Sequence, residues 1–285
     1  MLIRPEQFGL CHEAMLGFGM ETTEDPEHFA GAYEIPYGKK GSPLYIELHK
    51  QLFPSDQNAY DEFNDFFEDV HSRAVEETIE GTDILTMEPT DHLFYLICHA
   101  FKHFLHGGFG IRQVCDIVLF ARHYHDRIDW EQVLANCGKI RAEKFTAALF
   151  AIGRNHLGQE APLPGIWQME VDEQAMLEDL LASGIYGGAD MDRKHSGHMT
   201  LNAVTRQKQG KSETGGLMKS LFPSASSLEG RYAYLKKRPY LLPVAWASRI
   251  VRYGVRNAGT DSAAKTIQIG NERINLMKQY GILDE

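Results

Sequence analysis

The chain is short of cysteine. It carries four in 285 residues, Cys11, Cys98, Cys115 and Cys137, and no two form a C-x-x-C pair. That argues against a disulfide framework. The four sit in apolar, helix-like segments and read as reduced core residues of a cytoplasmic protein. No run of about 18 apolar residues occurs, so no membrane-spanning helix is expected. The first residues, MLIRPEQF, hold an apolar run of only two residues, too short for a signal peptide. Positive charge is in deficit. Lys and Arg number 29 against 39 Asp and Glu, a net charge of −10, which disfavours general nucleic-acid binding by the whole surface. Internal repeats and low-complexity tracts are also missing. What remains is an ordinary globular composition, 43% hydrophobic and 24% charged, long enough to bury a real core.

The charge is unevenly spread. Residues 56–80 carry nine acids and one basic residue, Arg73. Residues 228–256 carry seven Lys and Arg and one acid, Glu229, interleaved with aromatic residues. Two solvated helix faces of opposite sign explain this pattern. Arg249, Arg252 and Arg256 also stand at near-helical spacing. A basic stretch over 236–256 therefore suits an anionic membrane surface or polyanion as a partner.

Along the chain, Met1–Arg4 reads as the end of a strand, and Pro5 opens a helix at its tolerated first-turn position. Ala32–Tyr37 and Leu44–His49 are strand-like runs joined by GKKGSP, which reads as a β-hairpin. Alternation puts Leu44, Ile46 and Leu48 on one face and Tyr45, Glu47 and His49 on the other. Two readings of Glu47 compete. It faces solvent on an edge strand, or it belongs to a metal-binding acid cluster.

From about residue 60 the chain looks helical. Thr90 is expected to cap a helix over 91–106, and further helices fit 111–125, 129–137, 140–157, 171–184 and 199–209. Helices near 228–236, 241–257 and 261–280 follow a Gly/Ser-rich stretch. The fold class is α+β: a small N-terminal sheet, then a mostly α-helical region. The expected divisions are residues 1–85, 86–210 and 211–285.

The helix HLFYLICHAFKHFLH is the most informative stretch. On a helical wheel, Leu93, Phe94, Ile97, Cys98, Phe101, Phe104 and Leu105 gather on one side. His92, Tyr95, His99, Lys102, His103 and His106 gather on the other. His99 and His103 are four apart and could share a metal, but no H-E-x-x-H glutamate accompanies them. The turn Gly107-Gly108-Phe109-Gly110 precedes the next helix, whose first turn holds Arg112. Such turns expose N–H groups suited to phosphate. Asp116, in an otherwise apolar run, needs a partner such as a histidine or lysine of the preceding helix. The bland reading is that the histidines cap and pack between helices. The functional one makes them the polar wall of a cleft facing the hairpin. A weaker option, a metal-dependent phosphohydrolase, rests on the His125-Asp126 pair in a charged, solvated helix end.

The segments LYIELHKQLF, HLFYLICHAFKHFLHGG, QVCDIVLF with Asp116, DWEQVLANC and the late SLFPSASSLEGRYAYLKKRPYLLPVAWASRIVRY together resemble the uncharacterised nucleotidyltransferase family of the polymerase-beta-like superfamily. The resemblance covers most of the chain. It implies transfer of a nucleoside monophosphate from a nucleoside triphosphate to an acceptor hydroxyl, with Mg²⁺ or Mn²⁺ held by three carboxylates. Glu47 matches the third of these and is the implied metal ligand. Lys102, His99 and His103 would contact phosphate or acceptor, with Gly107, Gly108, Gly110 and Arg112 as further phosphate contacts. Asp116, His49, Tyr95 and His106 would support them. The glycine-serine motif and the acid-x-acid pair that the family places ahead of an apolar pair like Leu2-Ile3 are not seen, so the chain as given is expected to lack transferase activity. The alternative is a non-catalytic accessory protein that docks its basic segment on an anionic partner.

Overall fold

The turn formers of GKKGSP close the first hairpin. β1 (Glu34–Gly38) and β2 (Tyr45–His49) pair antiparallel, with Glu34 opposite His49, Ile35 opposite Leu48, Pro36 opposite Glu47 and Tyr37 opposite Ile46. The structure is a computed structural model describing residues 1–55, 58–167, 169–184, 191–210, 238–248 and 262–285. It divides into two units, Met1–Ala74 and Val75–Glu285.

In the first unit the hairpin buries one face. Ile35, Tyr37 and Leu48 lose all exposure and join Ile3, Met15 and Met20 in one cluster. Helix α1 (Phe8–Gly17) supplies Met15, with Phe8 and Cys11 packed alongside. Each such apolar side chain contributes about 1.5–3 kcal/mol on full burial. The Tyr37 hydroxyl, deep in this core, meets His12 Nδ1 at 2.6 Å. The expected strand end at the N-terminus is one bridge. Ile3 N–H donates to the His49 carbonyl at 2.9 Å and His49 N–H to the Met1 carbonyl at 2.8 Å, setting Leu2 parallel to His49.

The acidic tract departs from the helical expectation. It forms a 3₁₀ helix, Asp61–Phe67, and one short α-helical turn, α2 (Val70–Arg73). Side chains of Asp and Asn compete with helical bonds here. Asp61 Oδ1 accepts from Glu62 N–H, and the Asn64 amide bonds both the N–H and the C=O of Phe53. Phe53, Tyr60, Phe63 and Phe67 bury beneath them.

The second unit opens with a hairpin where helix was expected. β3 (Val75–Ile79) and β4 (Thr82–Thr86) pair antiparallel around Glu80-Gly81. Both turn residues have positive φ, 50° and 79°. That is the two-residue turn whose twist suits a hairpin.

Helices follow: α3 (Pro89–His106), α4 (Ile111–His123), α5 (Trp130–Lys139), α6 (Glu143–His156), α7 (Glu173–Ser183), α8 (Met191–Lys208) and α9 (Ser262–Gln279). α3 packs against α4, α5 and α8, and α8 runs along α9. The cap of α3 is Glu88, not Thr90. Its carboxylate accepts from the N–H groups of Thr90 and Asp91 at 3.0 and 2.8 Å. Thr90 Oγ1 instead accepts from Asp129 N–H at 3.1 Å, tying α3 to the start of α5. Residues 242–248 are helical, while the expected helix near 228–236 and the arginines at 249, 252 and 256 lie outside the described residues. No described helix is long and apolar enough to cross a membrane. The architecture is α+β, as the sequence indicates.

Candidate functional site

Among the described residues of the first half of the chain, two places gather polar side chains that apolar packing does not explain. The first is the outer face of the β1–β2 hairpin. Glu47 and His49 are two apart on β2, so they share that face. Glu34 stands directly opposite His49 in the register. His49 Nε2 lies 3.3 Å from Glu47 Oε2 and 3.4 Å from Glu34 Oε2. His49 itself is buried, at 8% exposure, while the two carboxylates are partly exposed.

Two phenols border the carboxylates. The Tyr33 hydroxyl is pushed well up by burial and by its hydrogen bond to Glu34. Tyr45 is raised too, by what burial it has and then by the negative charges of Glu47 and Glu34. Both phenols therefore stay protonated donors beside the two acids.

The donor set fits a divalent cation. Ligand atoms of Glu34, Glu47 and His49 all lie within 4.8 Å of one another. Ligand bonds of about 2.0–2.2 Å at tetrahedral to octahedral angles put neighbouring donors roughly 2.8–3.6 Å apart. The two His49 distances fall in that interval. Sequence reasoning reached Glu47 and His49 and missed Glu34. The signal was present in the hairpin loop, because pairing Gly38 with Tyr45 carries Glu34 to His49.

The second place is the polar face of α3. The expected split holds: Leu93, Phe94, Ile97, Cys98, Phe101, Phe104 and Leu105 are buried, and His92, Tyr95, His99, Lys102, His103 and His106 are partly exposed. The polar residues serve different ends. His99 and His103 meet Nε2 to Nε2 at 3.1 Å. Burial, then Lys102 and His106, pushes His103 down to about 4. His106 is lowered by burial, then by Lys102, His198 and Arg273. His92 lies against the Phe120 ring, 4.5 Å between centroids.

Tyr95 and His99 form one wall of a pocket of about 360 Å³ between α3 and α4. Gly110, Arg112, Gln113 and Asp116 form the other. Asp116 is half-exposed and pairs with Arg112 at 4.0 Å, one turn back on its own helix, where a histidine or lysine of the preceding helix was the expected partner. The glycine turn is divided. Gly107 and Gly108 both donate their N–H groups to the His103 carbonyl and so close α3. Gly110 is the N-cap of α4 and has no side chain to cap it. Of the three glycines, only Gly110 lines the pocket.

No curated protein and no solved structure matches the chain. The family model described as uncharacterised nucleotidyltransferase matches residues 1–158, from the N-terminal hairpin through α6. Both places described above fall within that span, and the match covers more than half of the sequence: the chain belongs to the uncharacterised nucleotidyltransferase family.

Proposed function

We propose that the chain is nucleotidyltransferase-like, of the polymerase-beta-like class, and contributes Glu47 as one metal ligand to metal-dependent transfer of a nucleoside monophosphate from a nucleoside triphosphate to an acceptor hydroxyl, while lacking on its own the acid-x-acid pair that the reaction needs. The observation that carries this is the convergence of Glu47 with Glu34 and His49 on one hairpin face, in a chain of this family. A cation held there by Glu47, Glu34 and His49 would neutralise triphosphate oxygens and would favour ionisation of the incoming hydroxyl. Glu47 supplies a hard carboxylate oxygen. Tyr45 and Tyr33, kept protonated, donate to the acids and hold them in place. In the second unit, Arg112 in the first turn of α4, with Gly107, Gly108 and Gly110 before it, suits an anionic group, and Lys102, His99 and His103 suit phosphate or acceptor oxygens. His103 enters such contacts neutral at pH 7.

The test is nucleotide binding by the purified chain, with and without Mn²⁺, followed by fluorescence of a labelled nucleoside triphosphate. Binding should need Mn²⁺ and should be lost in Glu47→Gln, which keeps the side chain's size and removes its charge. Mn²⁺-dependent binding that survives this substitution removes Glu47 from the role.

A further inference from the structure

The geometry around His49 points to a specific kind of ion. His49 Nδ1 lies 3.3 Å from the carbonyl oxygen of Gln51. A carbonyl oxygen only accepts, so Nδ1 carries the proton of this bond. The other ring nitrogen, Nε2, faces Glu47 Oε2 at 3.3 Å and Glu34 Oε2 at 3.4 Å. Three potential ligand atoms converge within 4.8 Å of one another, and one of the three belongs to a side chain that is nine-tenths buried. A divalent cation placed between them would neutralise both carboxylates and take a lone pair from Nε2. A histidine whose far nitrogen is held by a backbone carbonyl is also the usual arrangement of an imidazole ligand.

We infer that Glu34, Glu47 and His49 form a mixed oxygen–nitrogen site that binds a transition-series divalent cation of the Mn²⁺ and Zn²⁺ class, in preference to Mg²⁺, before any nucleotide arrives. This rests on the reading of Glu47 as a metal ligand and adds two ligands and a selectivity. The selectivity follows from ligand chemistry. Mg²⁺ seeks oxygen donors in near-ideal octahedral geometry and keeps much of its water. Imidazole favours zinc and its neighbours, and carboxylates accept manganese. A set of two carboxylates and one imidazole, with its donors about 3.3–3.4 Å from the imidazole nitrogen, suits the later ions better than magnesium.

The experiment uses the full chain without nucleotide. Mn²⁺ is titrated in, and the free ion is followed by its electron paramagnetic resonance signal. The expected result is uptake of one equivalent, displaced by Zn²⁺ at comparable concentration and by Mg²⁺ only at large excess. Glu34→Gln and His49→Gln should each weaken uptake at least about tenfold, the loss that removal of even an outer partner causes. A second measurement needs no variant. Bound Mn²⁺ should broaden the amide resonances of residues 33–35 and 46–50 before all others. Failure of the wild-type chain to take up Mn²⁺, uptake unchanged in both variants, equal displacement by Mg²⁺, or broadening centred elsewhere each overturns the inference. Its failure is separable from failure of the nucleotidyl reading. Mn²⁺ uptake at this site without nucleotide binding leaves the metal site and removes the transferase. Mn²⁺-dependent nucleotide binding that persists in Glu34→Gln and His49→Gln but not in Glu47→Gln does the reverse.

Discussion

Replacing Asp179 by Asn should destabilise the second unit more than any other single isosteric change in it. Asp179, Arg193 and Arg273 are 9%, 5% and 2% exposed, so two guanidinium groups and one carboxylate share a site nearly free of water. Asp179 Oδ1 lies 2.5 Å from Arg193 Nη2 and 3.5 Å from Arg273 Nε. The surplus positive charge is offset by the carbonyl end of α3. Arg193 Nε donates to the Gly107 carbonyl at 2.6 Å, and Arg273 Nη2 donates to that of Phe104. These carbonyls carry the negative end of the helix dipole. Burial already pushes the Arg273 guanidinium down, with Asp179 opposing. Asparagine keeps the shape and removes the only carboxylate of the group. Breaking a buried pair in this way costs about 3–5 kcal/mol, because a charge is left uncompensated. For a unit of this size, that is a fall in melting temperature of roughly 6–20 °C. Far-ultraviolet circular dichroism during a thermal ramp reads it directly. A variant melting within about 2 °C of the parent, a loss of no more than about 1 kcal/mol, would show that the carboxylate is not what holds the two arginines. Arg273→Met serves as the companion, since it removes a charge and leaves Arg193 and Asp179 as a balanced pair. It should cost less than Asp179→Asn.

The lowered His103 gives a pH signature. Its folded value of about 4 lies below the ordinary 6.5, so between these two values the unfolded chain binds more protons. Stability must then rise with pH across that window, and it is lost as pH falls from 6.5 towards 4, by up to about 3 kcal/mol; melting curves at pH 7 and pH 4.5 should separate, and His103→Gln should narrow the gap. Gly197→Ala should be severe. A Cβ there would sit 1.6 Å from the His106 carbonyl oxygen, where α8 crosses the end of α3, and backbone must shift to admit it. A loss of about 1–3 kcal/mol or more in denaturant titration is expected. Glu88→Ala removes the cap of α3 and should cost about 0.5–2 kcal/mol in the same assay; an unchanged midpoint would show that solvent replaces the carboxylate at no cost.

What could be read from the sequence was whatever repeats with a short period. The two faces of α3 separate cleanly because seven apolar residues recur at helical spacing and none of them is interrupted by a charge. The first hairpin was legible because GKKGSP leaves few alternatives to a turn. The second was not. VEETIEGTDILT alternates too, but its acids continue an acidic tract that already read as helix, and the hairpin is settled by two residues, Glu80 and Gly81, taking positive φ. The same contrast explains the site. Glu47 and His49 share a face by simple alternation, so one strand is enough to pair them. Glu34 is equally acidic and no more conspicuous than Glu21, Glu24 or Glu27. Only the cross-strand register selects it, and a slip of one residue would turn it to the opposite face. Asp179, Arg193 and Arg273 are further removed still. They come from three helices, and nothing in any one helix says that its charge is buried rather than solvated. Period marks a face, while register and helix packing decide which faces meet. The metal-binding reading of this chain therefore depends on the pairing of Glu34 with His49 more than on the presence of Glu47 alone.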